Sequence, residues 1–466
     1  MTPAKLLLPA KTAGAIPILC IASSNWPAAS TALGPAEVAS ARAQGFNARA
    51  GRHVVLTGKD GAIARILFGL GDKPATEDPF APGKLAKLLP QGAYRLEGDV
   101  QDPRLAALGW LLEAYSFSRY RQRSEEPASL LAPAAHLREG IVREADAVYL
   151  ARDLINTPAS DMGPAELEQA ARRLGLAHEA KFSAVTGKPL AKSFPMIAMV
   201  GGAASPQRQP RLIDFRWGEG RWPKVTLIGK GVCFDTGGLD IKPSASMLLM
   251  KKDMGGAANA LALAQLIMQA QLPVRLRVLI PAVENAISGD AFRPGDIVRS
   301  RKGLTVEIGN TDAEGRLILA DALALADEEE PELVIDLATL TGAARIALGP
   351  DLPPFYTPDD RLADDLMGHA KGENDPLWRL PLWPSYERLF ESKFADINNA
   401  SDSGFAGSIV AALFLRRFVE RAKLHLHVDI FGWTPVAKPG RPFGGEAQSI
   451  RAIFALLRQR YGDLKT

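Results

Sequence analysis

From residue 164 onward the chain alternates short apolar runs with longer amphipathic stretches. Residues 196–200, 225–229, 276–282, 334–337 and 424–430 are dominated by apolar side chains. Runs of that length read as strands buried on both faces. Residues 212–217 instead alternate apolar with charged positions, the pattern of an edge strand. Between the runs, residues 164–174, 254–271, 317–329, 408–421 and 446–461 repeat their apolar positions at helical spacing. Buried strands separated by amphipathic helices predict an α/β fold, with a mixed, mostly parallel sheet flanked by helices.

The first 135 residues show the same alternation on a smaller scale. Residues 54–56 and 64–68 read as strands and 105–118 as a helix. A charged, Pro-containing segment, residues 121–127, and Pro133 mark a boundary zone. A helical stretch over 143–154 follows and stops near Asn156-Thr-Pro158, as a connector would. The predicted organisation is a smaller α/β domain over 1–142 and a larger domain over 143–466 that includes a connecting helix, 143–157. Near the N-terminus, Leu6–Leu8 and residues 15–22 are apolar, but Pro9, Lys11 and Pro17 interrupt them. Two short strands fit this pattern better than the continuous apolar core of a signal peptide.

Composition narrows the function classes. A length of 466 residues, 47% hydrophobic and 23% charged, suits a globular protein with a large core. The net charge of +3 gives no footprint for nucleic acid or an anionic membrane. No apolar run reaches the ~18 residues of a membrane span. Cys20 and Cys233 are distant in sequence and predict no disulfide framework, which fits a reducing compartment and a cytoplasmic location.

The densest chemistry lies in Asn310-Thr-Asp-Ala-Glu-Gly-Arg316. Asp312 and Glu314 are two residues apart, after the apolar positions Leu304, Val306 and Ile308 and before a helical pattern. In an extended turn they would face one point at the carboxyl end of a strand, where open α/β sheets place ligands. Converging carboxylates repel unless a cation sits between them, and hard divalent cations take oxygen ligands. The structural alternative is an acidic helix N-terminus stabilised by the macrodipole.

A second junction carries matching chemistry. Residues 225–229 end at a Gly, followed by Lys230, Asp235, Gly237, Gly238 and Lys242, with Asp253 before the next helical run. Neither junction holds a His, so a metal site here is built from oxygen ligands and, in one reading, a lysine amine. Lys242 is a candidate to stabilise a tetrahedral oxyanion, although either lysine could equally be a solvated strand-end residue. A dinucleotide loop at Gly229 is excluded because Phe234 occupies the third glycine position. His425 and His427 share one face of an apolar strand and read as buried, hydrogen-bonded structural residues. The two cysteines read as small core residues.

These motifs resemble the leucyl (cytosol) aminopeptidase family. The resemblance rests on residues 310–316, on Gly229-Lys-Gly-Val-Cys-Phe-Asp-Thr-Gly-Gly238, and on Lys242-Pro-Ser244, Lys252-Asp253 and Ala338-Thr-Leu-Thr-Gly342, in order. It covers about residue 145 to the end, whereas the first 135 residues share only the family's general character. It implies a metal-dependent aminopeptidase with two divalent ions per subunit, Mn or Zn, with Mg or Co as variants. Asp235 and Glu314 would bridge them, Lys230 and Asp253 would complete the tighter site, and Asp312 the more exchangeable one. Lys242 would stabilise the gem-diolate, and Arg316 would hold a bicarbonate with help from the backbone around Leu340 and Gly342. Asn310 and Thr339 fall in the same substrate- and bicarbonate-binding set. The implied substrates are peptides with a free N-terminus, the implied assembly a homohexamer.

One position departs from the family pattern. Asp429-Ile-Phe-Gly432 stands where the family reads Asp-Ile-Ala-Gly, so Phe431 would narrow the pocket for the first side chain, opposite Met250. Two rival functions are a non-enzymatic role on the same fold, in nucleic-acid binding or as a scaffold, and metal-assisted phosphoester hydrolysis. The presence of all five candidate ligands argues against the first, and the missing phosphate loop against the second.

Overall fold

Six strands form the sheet of the first unit: β1 (Leu7–Leu8), β2 (Ile16–Ala22), β3 (His53–Thr57), β4 (Ile63–Gly71), β5 (Ala93–Gly98) and β6 (Ser129–Leu131). The structure, a computed structural model, describes residues 2–73, 78–121 and 126–465. Two compact units emerge, Met1–Tyr149 with Val436–Phe443, and Leu150–Pro435 with Gly444–Thr466. In the first, the strand order is β1-β6-β5-β2-β4-β3, parallel except for the β3/β4 pair. Helix α1 (Pro103–Ala114) is started by Asp102, whose side chain accepts from the Leu105 N–H. Cys20 is buried on β2, and burial pushes its thiol up to about 12, as a core residue requires. Residues 122–125 of the expected boundary zone lie outside the described residues.

The second unit is a mixed sheet of nine strands. They are β7 (Lys181–Thr186), β8 (Arg211–Trp217), β9 (Lys224–Gly229), β10 (Gly231–Asp235), β11 (Arg275–Asn285), β14 (Leu333–Ala338), β15 (Pro354–Tyr356), β16 (Trp378–Arg379) and β18 (Leu424–Asp429). Strands β12 (Ile297–Arg299), β13 (Thr305–Glu307) and β17 (Ile397–Asn398) form a separate small sheet. The main order is β16-β15-β18-β14-β9-β11-β8-β7, with β10 also on β11. The central strands β18, β14, β9 and β11 are mutually parallel, so their carboxyl ends share one edge.

Helices cover both faces of this sheet. Ile228, Leu279, Val334 and Ala338 share a core with Leu317, Ile318 and Leu323 of helix α5 (Glu314–Asp327). Gly229 points the other way, where a Cβ would lie 2.5 Å from Ala257 in helix α4 (Gly255–Gln269). Helices α2 (Arg138–Asn156), α3 (Pro164–Ala177), α6 (Gly407–Arg416) and α7 (Ile450–Tyr461) complete the elements used below. Arg152 on α2 is buried and pairs at 3.0 Å with Glu446.

Several sequence expectations are corrected. Residues 196–200 are not a strand but the end of a short helix, Pro195–Val200. Pro195 opens it, and Asp321, 125 residues on, accepts from the Met196 N–H at 2.9 Å. Strand β8 is not at an edge, because β11 and β7 flank it. Its charged residues are paired, Asp214 with Arg277 at 2.7 Å and Arg216 with Glu329 at 2.6 Å. The helix expected from 446 begins at Ile450, with Asp375 accepting from the Ser449 and Arg451 N–H groups. Helix α6 stops at Arg416, five residues early, and Asp327 collects the N–H groups of Glu420, Arg421 and Ala422.

The histidine expectation holds. His425 Nε2 and His427 Nδ1 lie 2.8 and 2.5 Å from the two oxygens of the buried Asp336. Burial pushes the Asp336 carboxyl up, but His427 and His425 outweigh it and bring it down to about 2. Burial lowers the His427 pKa, and Asp336 more than reverses this, so it stands above 6.5. The carboxylate's contribution to stability is therefore present above pH 3.8 and lost as pH falls toward about 2. The histidine's contribution is complete below pH 6.5 and lost as pH rises through the raised value. Asp336→Asn should cost about 3 kcal/mol or more at mildly acidic pH, since it strips a buried partner. It should also flatten the decline in stability above neutrality. Urea transitions of both proteins at mildly acidic and alkaline pH check this, and parallel pH profiles would rule it out.

Candidate metal centre and substrate cavity

Lys230 is the single residue between β9 and β10. Its N–H donates to Leu337 O on β14 at 3.0 Å, and its carbonyl accepts from Ala257 N at 2.8 Å. The side chain crosses the start of α5 over Gly315, where a Cβ would sit 2.6 Å from Lys230 Nζ. That close approach is why glycine follows Glu314. Asp235 ends β10, and the Asn285 side chain holds its Oδ1 from β11 at 2.9 Å. Gly237, at φ +87°, turns the chain away, leaving no room for a side chain beside Asp240 O.

Thr311 ties the two junctions together. Its hydroxyl donates to Gly237 O at 2.6 Å, and its N–H donates to Asp240 Oδ2 at 2.7 Å. Asn399 supports the same loop, accepting from the Gly309 and Asn310 N–H groups and donating to Asn310 O. Asn310 Oδ1 in turn accepts from the Asp312 N–H at 2.7 Å. Asp235, Asp312 and Glu314 thereby offer oxygens that lie within 4.8 Å of one another. Asp253, just ahead of α4, joins them through Lys230, whose Nζ is 2.7 Å from Asp253 Oδ2 and 2.9 Å from Glu314 Oε1. The Thr339 hydroxyl donates to Asp253 Oδ1 at 2.8 Å.

Four carboxylates thus meet two lysines. Lys242 Nζ is 2.9 Å from Asp235 Oδ2 and touches Asp312 Oδ1. The two ammonium groups neutralise half of the carboxylate charge. Burial, and then Asp235, push the Glu314 carboxyl well above its ordinary value and Asp312 up to about 6. Burial opposes the Lys230 ammonium, but Asp253 and Glu314 outweigh it and raise its pKa. Asp253 Oδ2, Glu314 Oε1 and Asp312 Oδ1 are buried, and each is countered by a lysine ammonium that it shares with a second carboxylate. Buried carboxylate oxygens that converge on one another with too little positive charge to balance them are what divalent-cation ligands look like. The residues present fit the metals that the sequence resemblance implies.

The centre opens into a cavity of about 570 Å³. Its walls include Met250, Asn310, Arg316, Thr339, Leu340, Gly342 and Phe431, so every residue expected around the substrate is brought together. Arg316 Nη1 donates to Asn399 O at 2.7 Å, while its buried Nε has no hydrogen-bond partner. The Leu340 N–H is committed to Asp429 Oδ1 at 3.0 Å. Gly342 starts a short helix, Gly342–Leu348. The Phe431 and Gly432 N–H groups both donate to Gln448 Oε1 at 2.9 Å, which fixes the turn that presents the Phe431 ring.

Sequence reasoning gave no role to several neighbours. Asn285 and Asn399 orient ligand loops, and Asp429 and Arg345 pair at 2.7 Å beside the cavity. Lys252 was recognised only as part of a motif. In sequence these are ordinary polar residues at strand ends and in a long connection, with no local periodicity to mark them. Their partners lie many tens of residues away.

The catalytic-domain model of the cytosol aminopeptidase family matches residues 149–454, and the N-terminal domain model of the M17 aminopeptidases matches residues 16–133. The second match extends the kinship to the region where sequence reading found only general character. A probable cytosol aminopeptidase of Brucella melitensis is 38% identical over 377 residues, 76% of each chain. One of Rhizobium meliloti is 37% identical over 430 residues, 85% of each chain. The crystal structure of the Coxiella burnetii cytosol aminopeptidase superposes with a TM-score of 0.93 at 47% identity, covering 98% of this chain and 100% of that one. The bottromycin maturation enzyme BotP in complex with Mn gives 0.86 at 31% identity, over 96% and 100%. With both domains matched, the chain belongs to the cytosol aminopeptidase family, metal-dependent enzymes that remove the N-terminal residue of peptides.

Proposed function

We propose that this aminopeptidase works through a dinuclear centre that Asp235 and Glu314 would share between both ions, with Lys230, as the neutral amine, and Asp253 holding one ion and Asp312 the other. The observation that carries this reading is the convergence of these five side chains beside the cavity, where four carboxylates are countered by only two lysine ammonium groups. Mn and Zn are the assigned ions, with Mg or Co as substitutes. Held there, two divalent ions supply a water of lowered pKa and a polarised carbonyl.

The protein's own groups do the rest. Lys242, anchored between Asp235 and Asp312, presents its ammonium to the oxygen on which negative charge develops. Arg316, with Nε unspent, is assigned to hold bicarbonate, whose chemistry there is that of a proton acceptor. Because the Leu340 N–H is already engaged by Asp429, the backbone share of that task falls to the helix start at Gly342. Domain limits at 142/143, a homohexameric assembly and a cytoplasmic location belong to the same proposal. Among the described residues no helix is long and apolar enough to cross a membrane. The test is release of free amino acids from dipeptides by the protein with added Mn or Zn, beside a phosphatase substrate. Phosphate release without amino-acid release would overturn it.

Phe431 lines the cavity rather than packing away from it. Its ring occupies space where the family carries a methyl group, so bulky first residues are penalised. One methylene in such a pocket is worth roughly 1–3 kcal/mol. Phe431→Ala should therefore raise kcat/KM for Leu- and Phe-initiated dipeptides relative to Ala-initiated ones. An unchanged ratio across the three substrates would show that the ring does not limit the pocket.

A further inference from the structure

Lys252 is the cation of this cavity for which the metal centre has no use. It is only 6% exposed, yet it lines the cavity wall. Among the described residues its ammonium makes no hydrogen bond and no ion pair. It faces the Phe431 ring, with Nζ 4.8 Å from the centroid, while Asp253 and Asp429 attract it from a distance and Lys230 and Arg345 repel it. Neighbouring Lys251 shows the ordinary outcome, since its Nζ donates to Asn156 O at 2.7 Å. A lysine this buried is seldom left without a partner.

The adjacent acids are already committed. Asp429 Oδ1 accepts from the Leu340 N–H and from Arg345, and its Oδ2 accepts from the Thr341 hydroxyl at 2.6 Å. Asp253 is held by Thr339 on one oxygen and by Lys230 on the other. Arg345 adds positive charge on the same ring, with Cζ 5.7 Å from the Phe431 centroid and a buried Nη1 that lacks a hydrogen-bond partner. A cation–π contact orients an ammonium but supplies neither a counter-charge nor hydrogen-bond acceptors. The group missing from this wall is an anion small enough to enter the cavity.

We propose that Lys252 is a specificity residue that pairs with a carboxylate on the first side chain of the substrate, so that peptides beginning with Glu or Asp are preferred. The proposal rests on the aminopeptidase reading, because it places that side chain between Met250 and Phe431. Phe431 serves it in two ways. The ring excludes bulky apolar side chains, and its face holds the lysine where an unbranched acidic side chain ends. Asp and Glu are also the substrates that neutralise the wall without displacing any existing bond.

The test uses the full chain loaded with Mn and four tripeptide amides that begin with Glu, Gln, Asp or Asn, plus one that begins with Leu. Amidated C-termini remove the other carboxylate. Hydrogen bonds to charged groups imply an advantage of about 10- to 100-fold in kcat/KM for the acid over its isosteric amide. Lys252→Met should bring that ratio to about one or below, and Lys252→Arg should keep part of it. Calorimetric affinities for free glutamate and glutamine should show the same loss, and metal content and Tm should establish that the variant is folded. A wild-type ratio near one with Leu still released overturns the inference and leaves the aminopeptidase reading standing. A ratio unchanged in Lys252→Met overturns it as well. If no substrate is hydrolysed, the functional reading fails and the inference fails with it. Should Lys252→Met not fold, the wild-type ratio and the Lys252→Arg ratio decide the question.

Discussion

Glu314→Ala is expected to abolish peptide hydrolysis and to lower bound metal further than Asp312→Ala does. Glu314 is buried at the first position of α5, with one oxygen on Lys230 and the group as a whole facing Asp235 and Asp312. In the proposed centre Glu314 would serve both ions, so its loss should weaken both, whereas Asp312 would serve one. The apoprotein should respond differently. Burial, and then the neighbouring Asp235, hold the Glu314 carboxyl well above its ordinary value, so its ionised form is disfavoured in the metal-free protein. Its Tm without metal should fall little, while the rise in Tm on adding Mn or Zn should largely vanish. Metal analysis, dipeptide turnover and melting with and without metal report the three effects separately. Near-normal metal content and turnover in Glu314→Ala would refute the bridging assignment.

The two lysines are expected to separate cleanly. Lys242→Ala should keep its metals and lose turnover by about 100-fold or more, as removal of an oxyanion donor does. Lys242 is the more accessible of the pair and contacts Asp235 and Asp312 from the cavity side. Lys230→Ala should lose metal affinity as well as turnover. Its Nζ lies on Asp253 and Glu314, and Gly315 leaves the groove that seats it. Metal titrations of the two variants and the wild type distinguish the roles. Identical titration curves for the wild type and Lys230→Ala would exclude Lys230 as a ligand.

By itself, the order of residues determined the chemistry and the fold class. Most of the continuous apolar runs between amphipathic stretches are buried strands, and the sheet of β9, β11, β14 and β18 follows that pattern. Acids and lysines at strand ends, with glycines beside them, already announced a crowded charged site, because burying such groups without purpose is costly. What the tertiary structure decided is every relation between distant residues. Asp235 meets Asp312 and Glu314 only because Thr311 pins one loop to the other. Residues 196–200 became helix because Asp321 caps them from 125 residues away, a partner that no local window contains. The charged residues of β8 suggested an exposed edge, yet Arg277 and Glu329 arrive to pair with them in the interior of the sheet. Lys252 gives the same lesson in reverse. In the sequence it is one of two adjacent lysines, and only the packing shows that its neighbour has a partner while it faces the cavity without one. Local periodicity reports burial, but the balance of charge within a buried site is a sum over contacts that only the folded chain brings together.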